Sequence, residues 1–177
     1  MGAGPKFLLD TNVLSYLEKR TPPPSLLNWI EHLDLDRLLI PLSAVFEIQL
    51  GIELIRQEHP ERAEDKEGWL LELIGQRALR LVIPDVEAIR LRAQMYAQHE
   101  LRGFFHNRPG CNKLHTGEDL LIAASAIVEK AAVATYDIAD FLLIDQYFSL
   151  PGLYHPGEDV WIIEPVTDFA HARWSPL

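Results

Sequence analysis

The sequence predicts an α/β fold around a largely parallel sheet. Short apolar runs alternate with longer stretches of helical period, several of the helical stretches open at capping signals, and no repeat or linker divides the chain. At 177 residues with 48% hydrophobic content, one domain with a substantial core is expected across residues 1–177. Its core should span about 7–165, with 166–177 as a C-terminal tail.

Phe7–Leu9 is an apolar strand, and Asn12–Lys19 follows with helical period. Pro22, Pro23 and Pro24 stop that helix and lead into a second over Ser25–His32. Leu38–Ile40 is the second strand, and Ser43 stands where the N-cap of a helix over Ala44–Glu58 belongs. Glu61–Gln76 is helical, and its stripe of Trp69, Leu70, Leu73 and Ile74 reads as core, with a dimer or partner surface as the alternative. Leu81–Ile83 is the third strand, and Asp85 caps a helix over Val86–Leu101. Arg102 to His115 is the one long irregular stretch, a kind of segment that often carries function in compact domains. Thr116 and Asp119 make a T-x-x-D capping pattern at the start of a helix over Gly117–Lys130. Ala132–Ala134 and Val160–Ile163 complete the strands, and Trp174 is either tail packing or a partner contact.

A net charge of −10 and a pI near 5.1 exclude a broad basic surface of the kind that holds nucleic acid electrostatically. The charge is uneven, however. Leu101 to Gly117 contains no acid, and there Arg102, Arg108 and Lys113 stand among Phe104, Phe105, His106 and His115. No apolar run approaches the roughly 20 residues that span a bilayer, and Met1 to Lys6 does not lead into a signal-peptide pattern, so a cytoplasmic protein is expected. The single cysteine, Cys111, cannot form an intrachain disulfide. His106, Cys111 and His115 match known zinc spacings poorly, and no phosphate loop, nucleophile elbow or H-E-x-x-H pair occurs.

The acids are more informative. Asp10 follows the first strand, Glu47 lies one turn after Ser43, Asp119 opens a helix, and Asp137 follows the strand ending near Thr135. Ligands of open α/β sheets bind beyond the carboxyl ends of the strands, so these placements can gather distant acids into one crevice. Crowded carboxylates repel each other and call for a cation, and oxygen-only ligands suit Mg²⁺ or Mn²⁺ rather than zinc. Each acid singly also reads as a helix cap or a solvated residue, because caps and turns attract Asp for local reasons.

Leu8-Leu9-Asp10-Thr11-Asn12-Val13-Leu14 resembles the D-T-N strand and turn that open PIN domains. Three further segments are similar to PIN motifs in the same order: Pro41-Leu42-Ser43 with Phe46-Glu47-Ile48 and Gly51-Ile52, then Asp119 through Ala126, then Ala134-Thr135-Tyr136-Asp137 with Asp140-Phe141. Length and the Gly-Ile after the glutamate look most like the VapC and FitB toxins of type II toxin–antitoxin pairs. The chain departs from the pattern at Phe46, in the long stretch before the third motif, and at Asp137, where asparagine is common and Asp140 is the alternative acid.

The resemblance implies a three-layer fold with a five-stranded largely parallel sheet and helices on both faces. It implies a homodimer and an Mg²⁺- or Mn²⁺-dependent endoribonuclease, acting on transfer or ribosomal RNA and held inactive by a small antitoxin. Carried over by position, Asp10, Glu47, Asp119 and Asp137 are the catalytic and metal-binding acids, supported by Thr11, Asn12, Ser43, Thr135 and Asp140. Arg102, Arg108 and Lys113 are the expected RNA contacts, with Phe104 and Phe105 as stacking faces, the alternative being a surface loop whose phenylalanines pack inward. Competing functions are a structure-specific DNA nuclease and a PIN-fold binding protein without activity.

Overall fold

The structure, a computed structural model, describes residues 4–105 and 116–165. In chain order the elements are β1 (Phe7–Leu9), α1 (Thr11–Leu17), α2 (Pro24–Glu31), β2 (Leu38–Pro41), α3 (Leu42–Arg56), α4 (Pro60–Gly75), β3 (Arg80–Val82), α5 (Val86–Ala97), α6 (Glu118–Glu129), β4 (Ala132–Ala134), α7 (Ile138–Asp145), β5 (Leu153–His155) and β6 (Val160–Ile163). Short 3₁₀ turns at Leu35–Arg37 and His99–Phe104 complete the chain path.

The sheet has six strands in the order β3-β2-β1-β4-β5-β6, one more than expected. Strands β1 to β5 are parallel, and β6 runs antiparallel to β5. The additional strand is β5, only three residues long and ending in a polar histidine, so its apolar signal is weak. It follows Gly152, where a side chain would press within 3.1 Å of Ala132 Cβ; the bare glycine lets β5 close on β4. Residues 156–159 alone join β5 to β6, which permits a hairpin but not a parallel crossover, and Asp159 takes a left-handed φ of 55° in that turn. Helix α7 is a further element beyond the expected ones, because Phe141-Leu142-Leu143-Ile144 is a continuous apolar run without helical period.

Alternation along β1 divides the core. Leu8 packs with α5, α6 and α7 residues such as Leu91, Ile122 and Phe141, while Phe7 and Leu9 pack with Val13, Leu26, Trp29 and Ala44 on the other face. All of β1, β2 and β4 is buried, as parallel strands covered on both faces require. The stripe on α4 is core: Leu70 is buried against Ile52 and Ala63, with Trp69 and Ile74 packed around it.

Capping follows the sequence only in part. Asp85 caps α5 by accepting the Ala88 N–H at 2.9 Å. Ser43 is not a cap: α3 begins at Leu42 behind Pro41, and the buried Ser43 hydroxyl finds no hydrogen-bond partner among the described residues. Nor does Thr116 cap α6, because Gly117 holds that position with a left-handed φ of 71°. Any side chain at Gly117 would lie 2.5 Å from the Tyr96 hydroxyl.

Candidate active site

Strand β1 pairs with β2 on one side and β4 on the other, so the order of the sheet reverses at β1 and a crevice opens at the carboxyl ends of β1 and β4. Asp10 is the residue directly after β1 and the N-cap of α1, and its N–H donates to the Ala134 carbonyl at 3.0 Å. Its carboxylate is almost wholly buried, at 3% exposure. One oxygen accepts the Thr11 N–H at 2.6 Å. The other accepts the Asn12 amide and the Thr135 hydroxyl, each at 2.6 Å.

These contacts weld the two strand ends together. Asn12 donates to Thr135 Oγ1 at 3.0 Å and accepts the Tyr136 N–H at 3.1 Å. The Asp137 N–H donates back to Thr135 Oγ1 at 2.8 Å. From α3, Glu47 takes the Thr11 hydroxyl on one oxygen at 2.5 Å and the Thr116 hydroxyl on the other at 3.5 Å. Three of the five expected supporting residues, Thr11, Asn12 and Thr135, therefore bond within the acid network, whereas Ser43, in the first turn of α3, does not bond to any of the acids.

Asp10, Glu47, Asp119 and Asp137 line one open cleft of about 410 Å³, together with Thr11, Asn12, Tyr16 and Lys19. Burial pushes the Asp10 carboxyl from 3.8 up to about 7 against the opposing Thr135 bond, with Glu47 and Asp137 adding repulsion. Burial likewise raises Asp119 to about 8, reinforced by Asp10, Glu47, Asp140 and Asp137. Asp140 thus acts on the cluster electrostatically, while Asp137 is the acid of that motif that lines the cleft. Among the described residues, no three His, Cys, Asp or Glu side chains form a ready cation cage. The donor set still fits a hard cation, since Mg²⁺ retains several waters and binds through one or two carboxylates plus phosphate.

Sequence reasoning passed over Lys19 and Tyr16, although Asn12, Tyr16 and Lys19 follow one another at spacings of four and three, with Lys19 two residues past the end of α1. It also missed the Arg92–Glu118 ion pair, 2.9 Å long, which joins α5 to the turn before Asp119. Arg92 and the Tyr96 hydroxyl both donate to the Thr116 carbonyl. No local pattern signals a pair 26 positions apart.

The expected RNA-contacting residues fare differently. Arg102 is exposed and does not line the cleft, and Arg108 and Lys113 fall outside the described residues, as do His106, Cys111, His115 and Trp174. Phe104 is buried and Phe105 stacks on Tyr96 with centroids 4.1 Å apart, so the phenylalanines pack inward rather than standing open as base platforms.

Comparison with known proteins agrees with this fold. The chain is 29% identical over 136 residues to the plasmid stability protein StbB of Pseudomonas syringae pathovar tomato, covering 76% of this chain and 89% of that protein. Its fold resembles the crystal structure of FitAcB from Neisseria gonorrhoeae, with TM-score 0.61 and 23% identity over 85% of this chain and 97% of that one. It also resembles a toxin–antitoxin complex from Klebsiella pneumoniae, with TM-score 0.54 and 16% identity over 85% and 98% of the respective chains. The PIN domain family profile matches residues 7–145, the span that carries β1 through α7 and every acid of the cleft, and the chain belongs to the PIN-domain family.

Proposed function

We propose that the protein is a magnesium-dependent endoribonuclease, the toxin of a toxin–antitoxin pair, and that the acid cleft is its active site. The observation carrying this reading is the gathering of Asp10, Glu47, Asp119 and Asp137 into one cleft, with Asp10 and Asp119 raised to about 7 and 8. Acids so destabilised by burial and mutual repulsion are poised to exchange protons for a cation.

Asp10 and Asp119 would hold Mg²⁺ or Mn²⁺, with Glu47 and Asp137 beside them. When bound, the ion supplies an activated water and stabilises charge on the phosphoryl oxygens. The chain's own residues set the geometry. Thr11, Asn12 and Thr135 lock the Asp10 carboxylate, and Thr11 and Thr116 hold Glu47 where it can orient the attacking water. In-line attack at phosphorus breaks the bond to the 3′ oxygen, which takes up a proton, leaving a 5′-phosphate and a 3′-hydroxyl.

The toxin assignment is supported by the similarity to a plasmid stability protein and to structures described as toxin–antitoxin assemblies. An antitoxin would bind near the cleft, with a basic side chain competing electrostatically for the acids. We include homodimer formation and a cytoplasmic site in the proposal; no described helix is long and apolar enough to cross a membrane. The test is cleavage of RNA and of DNA by the purified protein with and without Mg²⁺, with Asp10→Asn as control. Mg²⁺-dependent RNA cleavage lost in the variant is the expected result, cleavage of structured DNA alone would replace the substrate, and no cleavage of either would overturn the nuclease reading.

A further inference from the structure

We propose that Lys19 grips a backbone phosphate of the RNA beside the acid cluster, with Tyr16 holding its ammonium on the cleft wall; this rests on reading the cleft as a nuclease site. The need for such a group follows from charge. A chain of net charge −10, with four acids in its cleft, must admit a polyanion whose scissile phosphate is flanked by further phosphates. A bound divalent ion would serve the scissile group, and a cation of the protein's own would balance the charge of a neighbouring phosphate.

Among the described residues, Lys19 is the single basic one lining the cleft. Among the described residues it makes no ion pair, whereas Arg56, Lys66, Arg80 and Arg92 all do. Its Nζ instead sits 3.8 Å from the centroid of the Tyr16 ring. A cation–π contact of this kind orients an ammonium without neutralising it, so its full charge stays available to an entering anion. Lysine is a point charge with rotatable donors, suited to a phosphate met at variable angle.

The platform is anchored to the strand ends that carry the acids. Tyr16 packs on Tyr136 with centroids 4.5 Å apart, and Tyr136 meets the His155 ring edge-on at 5.1 Å. Gly157 leaves just enough room for Tyr136, since a Cβ there would fall 2.6 Å from the ring. The Tyr136 N–H is held by Asn12, which also holds Asp10. The position of Lys19 is thus tied through three side chains to the acid that opens the site. The ligand chemistry is a phosphodiester of a single strand, recognised without regard to base.

Lys19 is exposed, so its replacement should leave the fold intact, with an unchanged melting temperature as the control. Binding of a fluorescein-labelled single-stranded RNA of mixed sequence is followed by anisotropy across a salt series, with Ca²⁺ replacing Mg²⁺ to suppress turnover. Lys19→Ala should weaken binding about tenfold and reduce the slope of log K against log salt by about 0.7, and Lys19→Arg should restore both. In turnover with Mg²⁺, KM should rise in Lys19→Ala while kcat stays within about twofold of wild type. Wild-type affinity, salt slope and KM in Lys19→Ala would overturn the assignment while leaving the nuclease reading standing. A wild-type protein that neither binds nor cuts nucleic acid would remove both.

Discussion

Asp10 combines duties that rarely fall on one side chain. It caps α1, joins β1 to β4 through Thr135 and Asn12, and faces the cleft with a carboxyl raised to about 7. Metal binding needs charge, which an amide lacks. Asp119→Asn should therefore reduce cleavage at least about a hundredfold with the fold intact, measured by product formation beside circular dichroism. Asp10→Asn should do the same at some cost in melting temperature, because its amide nitrogen replaces one of the two oxygens that accept from Thr11, Asn12 and Thr135. Thr135→Val separates the duties differently. It removes the hydroxyl that most favours ionised Asp10 and also accepts the Asp137 N–H. The pH profile of cleavage should shift upward because Asp10 then holds its proton more tightly, and an unshifted profile would mean that Asp10 ionisation does not control activity.

At the scale of elements, the placement of α6 matters most, because it carries Asp119. Its first turn is clamped from α5 by Arg92, which bonds Glu118 at 2.9 Å, and by the Tyr96 hydroxyl on the Thr116 carbonyl at 3.3 Å. Glu118 is buried, and burial raises its carboxyl above the ordinary value against the pull of Arg92. Arg92→Met should leave that carboxylate without its partner and lower stability by about 2 kcal/mol, less than for a fully buried pair because Arg92 is partly exposed. Gly117→Ala should cost about 1 to 3 kcal/mol through its left-handed backbone and the close Tyr96 hydroxyl. Urea unfolding of both variants checks these values, and Gly117→Ala at wild-type stability would mean the turn relaxes freely.

At the scale of the whole molecule, the acid cleft is a site of stored repulsion. The unfolded chain releases the protons of Asp10 and Asp119 near their ordinary 3.8, whereas the folded chain keeps them to about 7 and 8. The folded state therefore binds more protons across that window, and metal-free stability should fall as pH rises through it. Melting temperatures between about pH 5 and pH 8 should decline in the metal-free protein and decline less in Asp119→Asn. Added Mg²⁺ should restore the wild type at the upper end by binding the folded state alone, and a flat metal-free profile would contradict the electrostatic account of the cleft. Multi-angle light scattering checks the proposed dimer, for which twice the monomer mass of 20.2 kDa is expected.

Much of the fold is carried by short-range signals. Apolar runs at Phe7–Leu9, Leu38–Ile40 and Ala132–Ala134 became buried strands because each is apolar on both faces, and Asp85 caps α5 because an Asp oxygen reaches an N–H three residues on. The four acids were legible as motif positions in sequence order, and Thr11, Asn12 and Thr135 with them. Other features were decided only when distant segments met. The sixth strand formed because Gly152 admits β5 beside β4, and β6 reversed because its connection is too short to cross the sheet. Ser43, a cap by its neighbours alone, was buried unbonded when Pro41 opened the helix instead. The raised carboxyls of Asp10 and Asp119, the Arg92–Glu118 clamp and the entry of Lys19 into the acid cleft depend on burial and on charges far apart in the chain. Local sequence governs backbone preference and apolar pattern, but solvent exclusion and Coulomb interaction act through space, and only the tertiary structure sets those distances.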